Sequence, residues 1–204
     1  MTASSEGPST AAEADPAAGP AAYGLLRQDA LATLSRWPAP DAEQEGLRVD
    51  YLAHLERHAD ALSRNGPPAH LTGSVIVLDP AGERVLLTLH QKARRWFQFG
   101  GHFEAADPSL LSGATREARE ESGIDGLTVL PEIVMLDRHP LGNAFGRCRE
   151  HLDVRYAAVA PADAVHAVST ESLDVRWWPA DQLPADTRAE LHPLVTAAQR
   201  ALRP

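Results

Sequence analysis

The chain has 204 residues, enough to bury a full core in one domain with extensions. Its formal net charge of −9 argues against a nucleic-acid backbone as the main partner, because such binding depends on contacts between basic side chains and phosphates. No apolar run is long enough to span a membrane and no signal-peptide pattern begins the chain. We therefore expect a cytoplasmic protein that binds neither nucleic acid nor membrane.

The first part of the chain predicts a tail followed by two helices. Residues 1–22 are mainly alanine, proline, serine, glycine and acidic residues, which cannot bury enough apolar surface to offset the entropy cost of ordering, so we predict disorder. Residues 23–66 carry leucines at helical spacing and predict a helical extension, with helices over 25–37 and 41–64. These leucines need a partner surface, which is either the chain's own domain or a second subunit in a homodimer.

The remaining residues, 67–204, predict one domain that mixes strands and helices. A continuous apolar run at 74–78 is followed by a turn at 79–82 and a second apolar run at 84–89, which predicts two connected strands. Further strands are predicted at residues 96–99, 127–136 (interrupted by Pro131), 152–159 and 175–178, and a closing helix at 187–202.

Three glutamates lie close together between the early and late strands. Glu117, Glu120 and Glu121 fall at positions i, i+3 and i+4, so a helix projects all three from one face. Neighbouring carboxylates repel one another, and oxygen ligands with residual negative charge suit Mg²⁺ or Mn²⁺. The pattern therefore favours a divalent-cation site, although a solvated charged face with Arg119 as local partner has the same spacing.

The residues around the glutamates predict a short helix with defined ends. Asp107 and Pro108 predict its start, as N-cap and first helical residue, and Gly123 predicts its end. Gly100 and Gly101 precede this helix, and glycines there allow the backbone to approach a metal or a phosphate closely.

The segment from Gly101 to Ile124 resembles the signature of the Nudix hydrolase family. That signature is Gly, five residues, Glu, seven residues, and then Arg-Glu-aliphatic-x-Glu-Glu-x-Gly-aliphatic, and residues 116–124 match its second half in full. The first half differs, because the spacing from Gly101 to Arg116 is one residue longer and Asp107 lies near the position of the family's Glu. We interpret this as a one-residue insertion in the loop before the helix, which leaves the glutamate cluster intact.

The resemblance implies an α/β/α sandwich with a mixed sheet, and hydrolysis of the pyrophosphate bond in a nucleoside diphosphate linked to another group, with Mg²⁺ or Mn²⁺ as cofactor. By position in the signature, Glu117, Glu120 and Glu121 are implied as catalytic metal ligands. The carbonyl of Gly100 or Gly101 is a further ligand candidate. Arg116 is implied to hold a glutamate in place by bidentate hydrogen bonds. The catalytic base stays open between a motif glutamate and an acid from a distant loop.

One further acid and a set of basic side chains are candidates for the rest of the site. Glu171, in a loop before the last strand, is the candidate distant acid and metal ligand, with an ordinary exposed loop acid as the alternative. His151, Asp153 and Arg155 alternate along a predicted strand and so share one face, which lines a pocket or faces water. Phosphate contacts are predicted from His90, Lys92, Arg94, Arg95, His102 and Arg155, with a solvated basic loop as the alternative for Arg94 and Arg95.

Two other functions fit parts of the sequence. Isopentenyl diphosphate isomerases share the Nudix fold but need a placed cysteine, and Cys148, the only cysteine, lies in a different context and is predicted to be a bystander. Binding or regulatory modules without turnover often lose motif glutamates, which this chain keeps. We therefore expect hydrolysis of a small nucleotide, either a nucleoside diphosphate derivative or a nucleoside triphosphate.

Overall fold

The structure is a computed structural model that describes residues 19–142 and 147–203. Of the segment predicted to be disordered, residues 1–22, the first 18 residues lie outside these ranges. Helical structure begins with a short 3-10 helix, Pro20–Tyr23. No helix within the described ranges has both the length and the apolar character needed to cross a bilayer.

The described residues form one mixed sheet and four α-helices. The helices are α1 (Gly24–Arg36), α2 (Ala42–Arg57), α3 (Leu110–Ser122) and α4 (Leu191–Ala201). The strands are β1 (Ala69–Leu78), β2 (Arg84–His90), β3 (Trp96–Phe97), β4 (Phe99–His102), β5 (Thr128–Val129), β6 (Met135–Pro140), β7 (Glu150–Val159) and β8 (Ser172–Pro179).

Every predicted helix and strand has a counterpart, but several ends differ and the predicted strands 96–99 and 127–136 are each divided in two. Helix α2 ends at Arg57 instead of residue 64, because the chain turns at His58 and continues as short turns over residues 58–66. These turns bury Ala61 and Leu62 in the core, which explains their apolar character without a helix. The predicted strand 127–136 is divided into β5 and β6 around Pro131, as expected for a residue that cannot donate to a strand ladder.

The sheet is built around β1. This strand pairs in parallel with β7 over ten residues, from Ala69 opposite Glu150 to Leu78 opposite Val159, and antiparallel with β2 and β4. Strands β5 and β6 extend the sheet antiparallel to β7, and β3 and β8 pair antiparallel with β2. The sheet is therefore mixed, as the family resemblance implies.

Both faces of the sheet are covered by helices. Along β1 the side chains alternate between two hydrophobic clusters: Val75 and Val77 face the cluster that includes α1, α2 and α3, whereas Ile76 and Leu78 face the cluster that includes α4. This alternation makes the fold an α/β/α sandwich, which confirms the predicted fold class.

The helical extension packs on the sheet of its own chain. Trp37 Nε1 donates a hydrogen bond to the carbonyl of Ile133 at 2.7 Å. The Gln44 amide both donates to the carbonyl of Leu136 at 3.0 Å and accepts from its backbone N–H at 2.7 Å. The leucines that needed a partner surface therefore find it within the same subunit.

Candidate functional site

The turn at Gly100 and Gly101 needs glycine for two separate reasons. Gly100 has a φ of 153°, a conformation that residues with a side chain rarely adopt. At Gly101 an added Cβ would lie 2.7 Å from Oε2 of Glu117. The absence of side chains here lets the carboxylates of α3 lie directly against the backbone of the turn.

Two of the three motif glutamates are turned inward. Glu121 Oε2 accepts a hydrogen bond from the Gly100 N–H at 3.0 Å. The Glu117 side chain is 18% exposed and accepts a hydrogen bond from Arg116, whereas the Glu120 side chain is 51% exposed at the rim. Glu117 and Glu121 thus form a half-buried acidic pair against the glycine turn, with Glu120 on the solvent side.

Arg116, in α3, binds Asp107 in the loop that precedes the helix. Its Nε and Nη2 donate to the two carboxylate oxygens of Asp107 at 3.1 and 3.0 Å, and Nη1 donates to Glu117 Oε1 at 3.0 Å. Asp107 is therefore not the N-cap, and that prediction is wrong: α3 begins at Leu110, with Ser109 as its N-cap. The Asp107 carboxylate is only 7% exposed. Its ion pair with Arg116 stabilises it more than a helix-capping hydrogen bond would. The predicted end is confirmed, since Gly123 caps the helix with a φ of 69°.

Burial makes the inner glutamates hold their protons more tightly than usual. Desolvation, with Glu120 and Glu171 nearby, raises the pKa of Glu117 from 4.5 to about 7. Desolvation, with Glu117, Glu171 and Glu120 nearby, raises the pKa of Glu121 to about 8. A divalent cation would relieve this repulsion, and carboxylate and carbonyl oxygens are the donors that Mg²⁺ and Mn²⁺ prefer. The residues therefore fit the metal that the family resemblance implies.

These pKa values predict that the stability of the metal-free protein depends on pH. Glu117 and Glu121 bind protons more tightly in the folded chain than in the unfolded chain. Their contribution to the free energy of unfolding is therefore fully present below about pH 4.5 and is lost as the pH rises through about 7 to 8. In the presence of a chelator we expect the melting temperature to fall between about pH 6 and about pH 9, and to fall less in the Glu121→Gln variant. Equal slopes for the two proteins would contradict the assignment of Glu121.

A cavity of about 460 Å³ opens beside the acidic pair. Among the predicted site residues, Glu121, Gly101, His90 and Arg95 line it. Phe97 and Arg188 line it as well, so the cavity offers an aromatic ring and two guanidinium groups next to the carboxylates. Its volume is typical of small-molecule sites.

Other predicted site residues lie elsewhere. Lys92 and Arg94 are exposed in the turn after β2 and do not line the cavity. Glu171 is exposed in the loop before β8 and is near enough to Glu117 and Glu121 to contribute to their raised pKa values. Arg155, only 2% exposed, donates to Asp153 at 2.9 Å and to Asp137 at 2.8 Å beneath the cavity.

The cavity floor joins Asp153 to three polar residues that sequence reasoning missed: Thr72, Ser74 and Gln98. Asp153 accepts hydrogen bonds from Thr72 at 3.1 Å, from Ser74 at 2.7 Å and from Gln98 at 3.3 Å. All four residues line the cavity. The alternation of polar residues on β1 was the available signal, but it needed the register that places Thr72 opposite Asp153. Of the two alternatives for the polar face of β7, the pocket is confirmed for His151 and Asp153.

His102 does not line the cavity, although it pairs with Thr72, which does. Its Nε2 lies 3.0 Å from Nε2 of His70 and 4.0 Å from Sγ of Cys148. Burial, and secondly repulsion by neighbouring His151, lowers the pKa of His102 to about 2, so this imidazole is neutral. His102 therefore belongs to a cluster of histidines next to the cavity, which it shares with His70 and His151.

The comparisons with known proteins agree with this geometry. A family model described as NUDIX domain matches residues 68–199. No curated protein matches the chain.

Several solved structures share the fold. The E. coli dihydroneopterin triphosphate pyrophosphohydrolase is 18% identical, with 61% of this chain and 91% of that chain covered and a TM-score of 0.53. An Ap4A hydrolase binary complex from C. elegans is 17% identical, with 65% and 96% covered and a TM-score of 0.53. The NUDIX domain of Shewanella oneidensis NrtR, complexed with ADP ribose, is 21% identical, with 65% and 88% covered and a TM-score of 0.51. Because the family model matches well over half of the chain, the protein belongs to the Nudix family and is a Nudix hydrolase.

Proposed function

We propose that this Nudix hydrolase is a divalent-metal-dependent pyrophosphohydrolase of small nucleotides. Its substrate is a nucleoside diphosphate linked to another group, or a nucleoside triphosphate. One observation carries the proposal: the half-buried pair of Glu117 and Glu121 lies against the glycine turn, and Glu121 also lines the cavity. Two buried like charges at a cavity are unfavourable without a cation, and a cation there suits a phosphate substrate.

The metal ligands in this proposal come from α3 and the turn. Glu117, Glu120 and Glu121, with the Gly101 carbonyl, would hold Mg²⁺ or Mn²⁺, and Glu171 would add a ligand from the opposite loop. When bound, the cation offsets negative charge that develops on the phosphate oxygens.

The protein's own residues supply position and proton transfer. Arg116 fixes the Glu117 carboxylate from one side while Asp107 fixes Arg116, so this ligand is held before substrate arrives. Water attacks phosphorus, the bridging P–O bond breaks, and the water proton passes to a carboxylate. The acids close enough to accept it are the motif glutamates and Glu171, and the base is one of these.

The cavity walls fit the remainder of a nucleotide. Arg95 and Arg188 can donate to phosphate oxygens, and His90 lies on the same wall. Phe97 offers a ring on which a base can stack. The similar structures from Shewanella oneidensis and C. elegans, which are respectively complexed with ADP ribose and named as an Ap4A hydrolase, support this substrate class.

A substrate panel tests the proposal. The purified protein is incubated with Mg²⁺ and with dinucleoside polyphosphates, nucleotide sugars, ADP-ribose and nucleoside triphosphates, and the phosphorylated products are separated and identified. We expect turnover of at least one of these compounds that stops when a chelator is added. Efficient cleavage of a capped or triphosphorylated oligonucleotide, with no turnover of any mononucleotide derivative, would overturn the proposed substrate class.

A further inference from the structure

Three histidines and the single cysteine meet next to the glycine turn, and one of them, His151, also lines the cavity. Each of His70, His102, Cys148 and His151 offers one ligand atom, and these four atoms lie within 4.8 Å of one another. The closest pair, Nε2 of His70 and Nε2 of His102, is 3.0 Å apart, and Sγ of Cys148 lies 4.0 Å from Nε2 of His102.

The sheet brings these residues together. His70 lies directly opposite His151 in the parallel register of β1 and β7. His102 ends β4 and pairs with Thr72, two residues along β1 from His70. Cys148 precedes His151 by three residues at the entry to β7. Four separate parts of the domain therefore converge on one point, and three of them are held there by strand pairing.

The cluster is buried and its hydrogen bonding is incomplete. His70 is fully buried, and its Nδ1 lies 3.1 Å from the carbonyl of Pro67. Because a carbonyl only accepts, Nδ1 carries the proton and the lone pair of Nε2 points into the cluster. Nε2 of His102 can donate a hydrogen bond to this lone pair, which gives both of these nitrogens a partner. Nε2 of His151, which is completely buried, has no hydrogen-bond partner among the described residues.

A buried nitrogen without a hydrogen-bond partner is unfavourable, so its presence calls for an explanation. A cation bound between the four donors would use this nitrogen, the directed lone pair of His70 and the thiolate of Cys148 at once. Imidazole and thiolate donors favour Zn²⁺, which takes four such ligands in tetrahedral sites that serve structure. Mg²⁺ prefers oxygen ligands and would stay with the glutamates.

We propose that His70, His102, Cys148 and His151 bind one Zn²⁺ ion, in a structural site separate from the carboxylate site of α3. Zinc–nitrogen bonds of about 2.0–2.1 Å and a zinc–sulfur bond of about 2.3 Å place tetrahedral ligand atoms roughly 3.3–3.6 Å apart. The atoms of the cluster lie at 3.0 Å, at 4.0 Å and within 4.8 Å of one another, so side-chain shifts of about one ångström complete the site. Cys148 is then a metal ligand and not a bystander.

The position of the site gives it a role in the domain. His102 follows Gly101 directly, and its carbonyl accepts a hydrogen bond from Arg116 at 3.1 Å. His151 lines the cavity from the other side. The zinc ion joins β1, β4 and β7 at the residue that follows the glycine turn, and so fixes the backbone against which Glu117 and Glu121 lie. The inference does not depend on which nucleotide is hydrolysed, nor on hydrolysis itself.

Metal analysis tests the site directly. The full chain is purified without a histidine tag, desalted, and its metal content is measured by mass spectrometry. We expect about one equivalent of zinc per chain in the wild type, in Glu121→Gln and in the exposed-histidine control His192→Asn. Cys148→Ser and His151→Asn should lose most of it. Circular dichroism establishes that each variant is folded.

Replacement of zinc by Co²⁺ gives a second readout, the visible absorption spectrum. It is recorded on the wild-type protein, so misfolding of a variant cannot affect it. Tetrahedral Co²⁺ with a thiolate ligand is expected to show visible ligand-field bands and a sulfur-to-cobalt charge-transfer band, and Cys148→Ser should abolish the latter. Wild-type protein with less than about one tenth of an equivalent of zinc, and with no such bands after Co²⁺ addition, would overturn the proposal. So would zinc that is lost in Glu121→Gln but retained in Cys148→Ser and His151→Asn.

Discussion

The Glu121→Gln variant is expected to lose at least about a thousandfold in kcat/KM on the best nucleotide substrate. Glutamine keeps the size of the side chain but removes the charge that holds the cation, and metal catalysis supplies several kcal/mol of transition-state stabilisation. Glu117→Gln should have a similar effect because Glu117 faces the same glycine turn. Steady-state kinetics at saturating Mg²⁺ measures both losses.

The matched control is Glu132→Gln, which changes an exposed glutamate outside the cavity and should keep wild-type kinetics. The variants should also remain folded. Removing a half-buried charge with a raised pKa costs no stability in the metal-free protein, so with a chelator near about pH 8 the melting temperature of Glu121→Gln should equal or exceed that of the wild type. Near wild-type activity in either Glu121→Gln or Glu117→Gln would show that the metal site is assigned wrongly.

Deleting the chain through residue 65 is expected to abolish cooperative folding of the domain. Helices α1 and α2 contribute buried Leu26, Leu34 and Tyr51 to the core that also holds α3. Their loss would expose this core and leave the backbone groups of Ile133 and Leu136 without partners. Thermal unfolding followed by circular dichroism should show no sharp transition for a chain that starts at Gly66.

The extension also contacts helix α3, which carries the three motif glutamates. The Asp29 carboxylate on α1 accepts a hydrogen bond from the N–H of Leu110, the first residue of α3, at 2.8 Å. A truncation that starts at Gly19 keeps this contact and is the control; it should melt and turn over like the full chain. Gln44→Ala should lower the melting temperature, whereas exposed Gln28→Ala should not. A stable, active fragment starting at Gly66 would contradict an integral role for the extension.

Helix α3 could be predicted from the sequence because the residues that determine it are close together in the chain. The spacing of Glu117, Glu120 and Glu121 determines a shared helix face, and Gly123 determines the helix end. The helix start could not be predicted in the same way, because Asp107 and Ser109 are both good N-cap residues. The choice between them depends on Arg116, which binds Asp107 from nine residues away.

The cavity floor and the histidine–cysteine cluster could not be predicted, for a different reason. Asp153 meets Thr72, and His151 meets His70, only through the parallel register of β1 and β7. Residues paired in this way are about 80 positions apart in sequence, and a one-residue slip would move every side chain to the other face. The polar alternation on β7 was visible in the sequence, but its partners on β1 depend on tertiary structure.

The central claim is that the glutamates of α3 support metal-dependent cleavage of a P–O–P bond, and isotope labelling of the products tests it most directly. The best substrate of the panel is hydrolysed with Mg²⁺ in water enriched in a heavy oxygen isotope, and the products are analysed by mass spectrometry. We predict one heavy oxygen in one of the two phosphorylated products, with no turnover in Glu121→Gln. No turnover of any panel compound by the folded wild type, or label-independent products formed equally by Glu121→Gln, would contradict the claim.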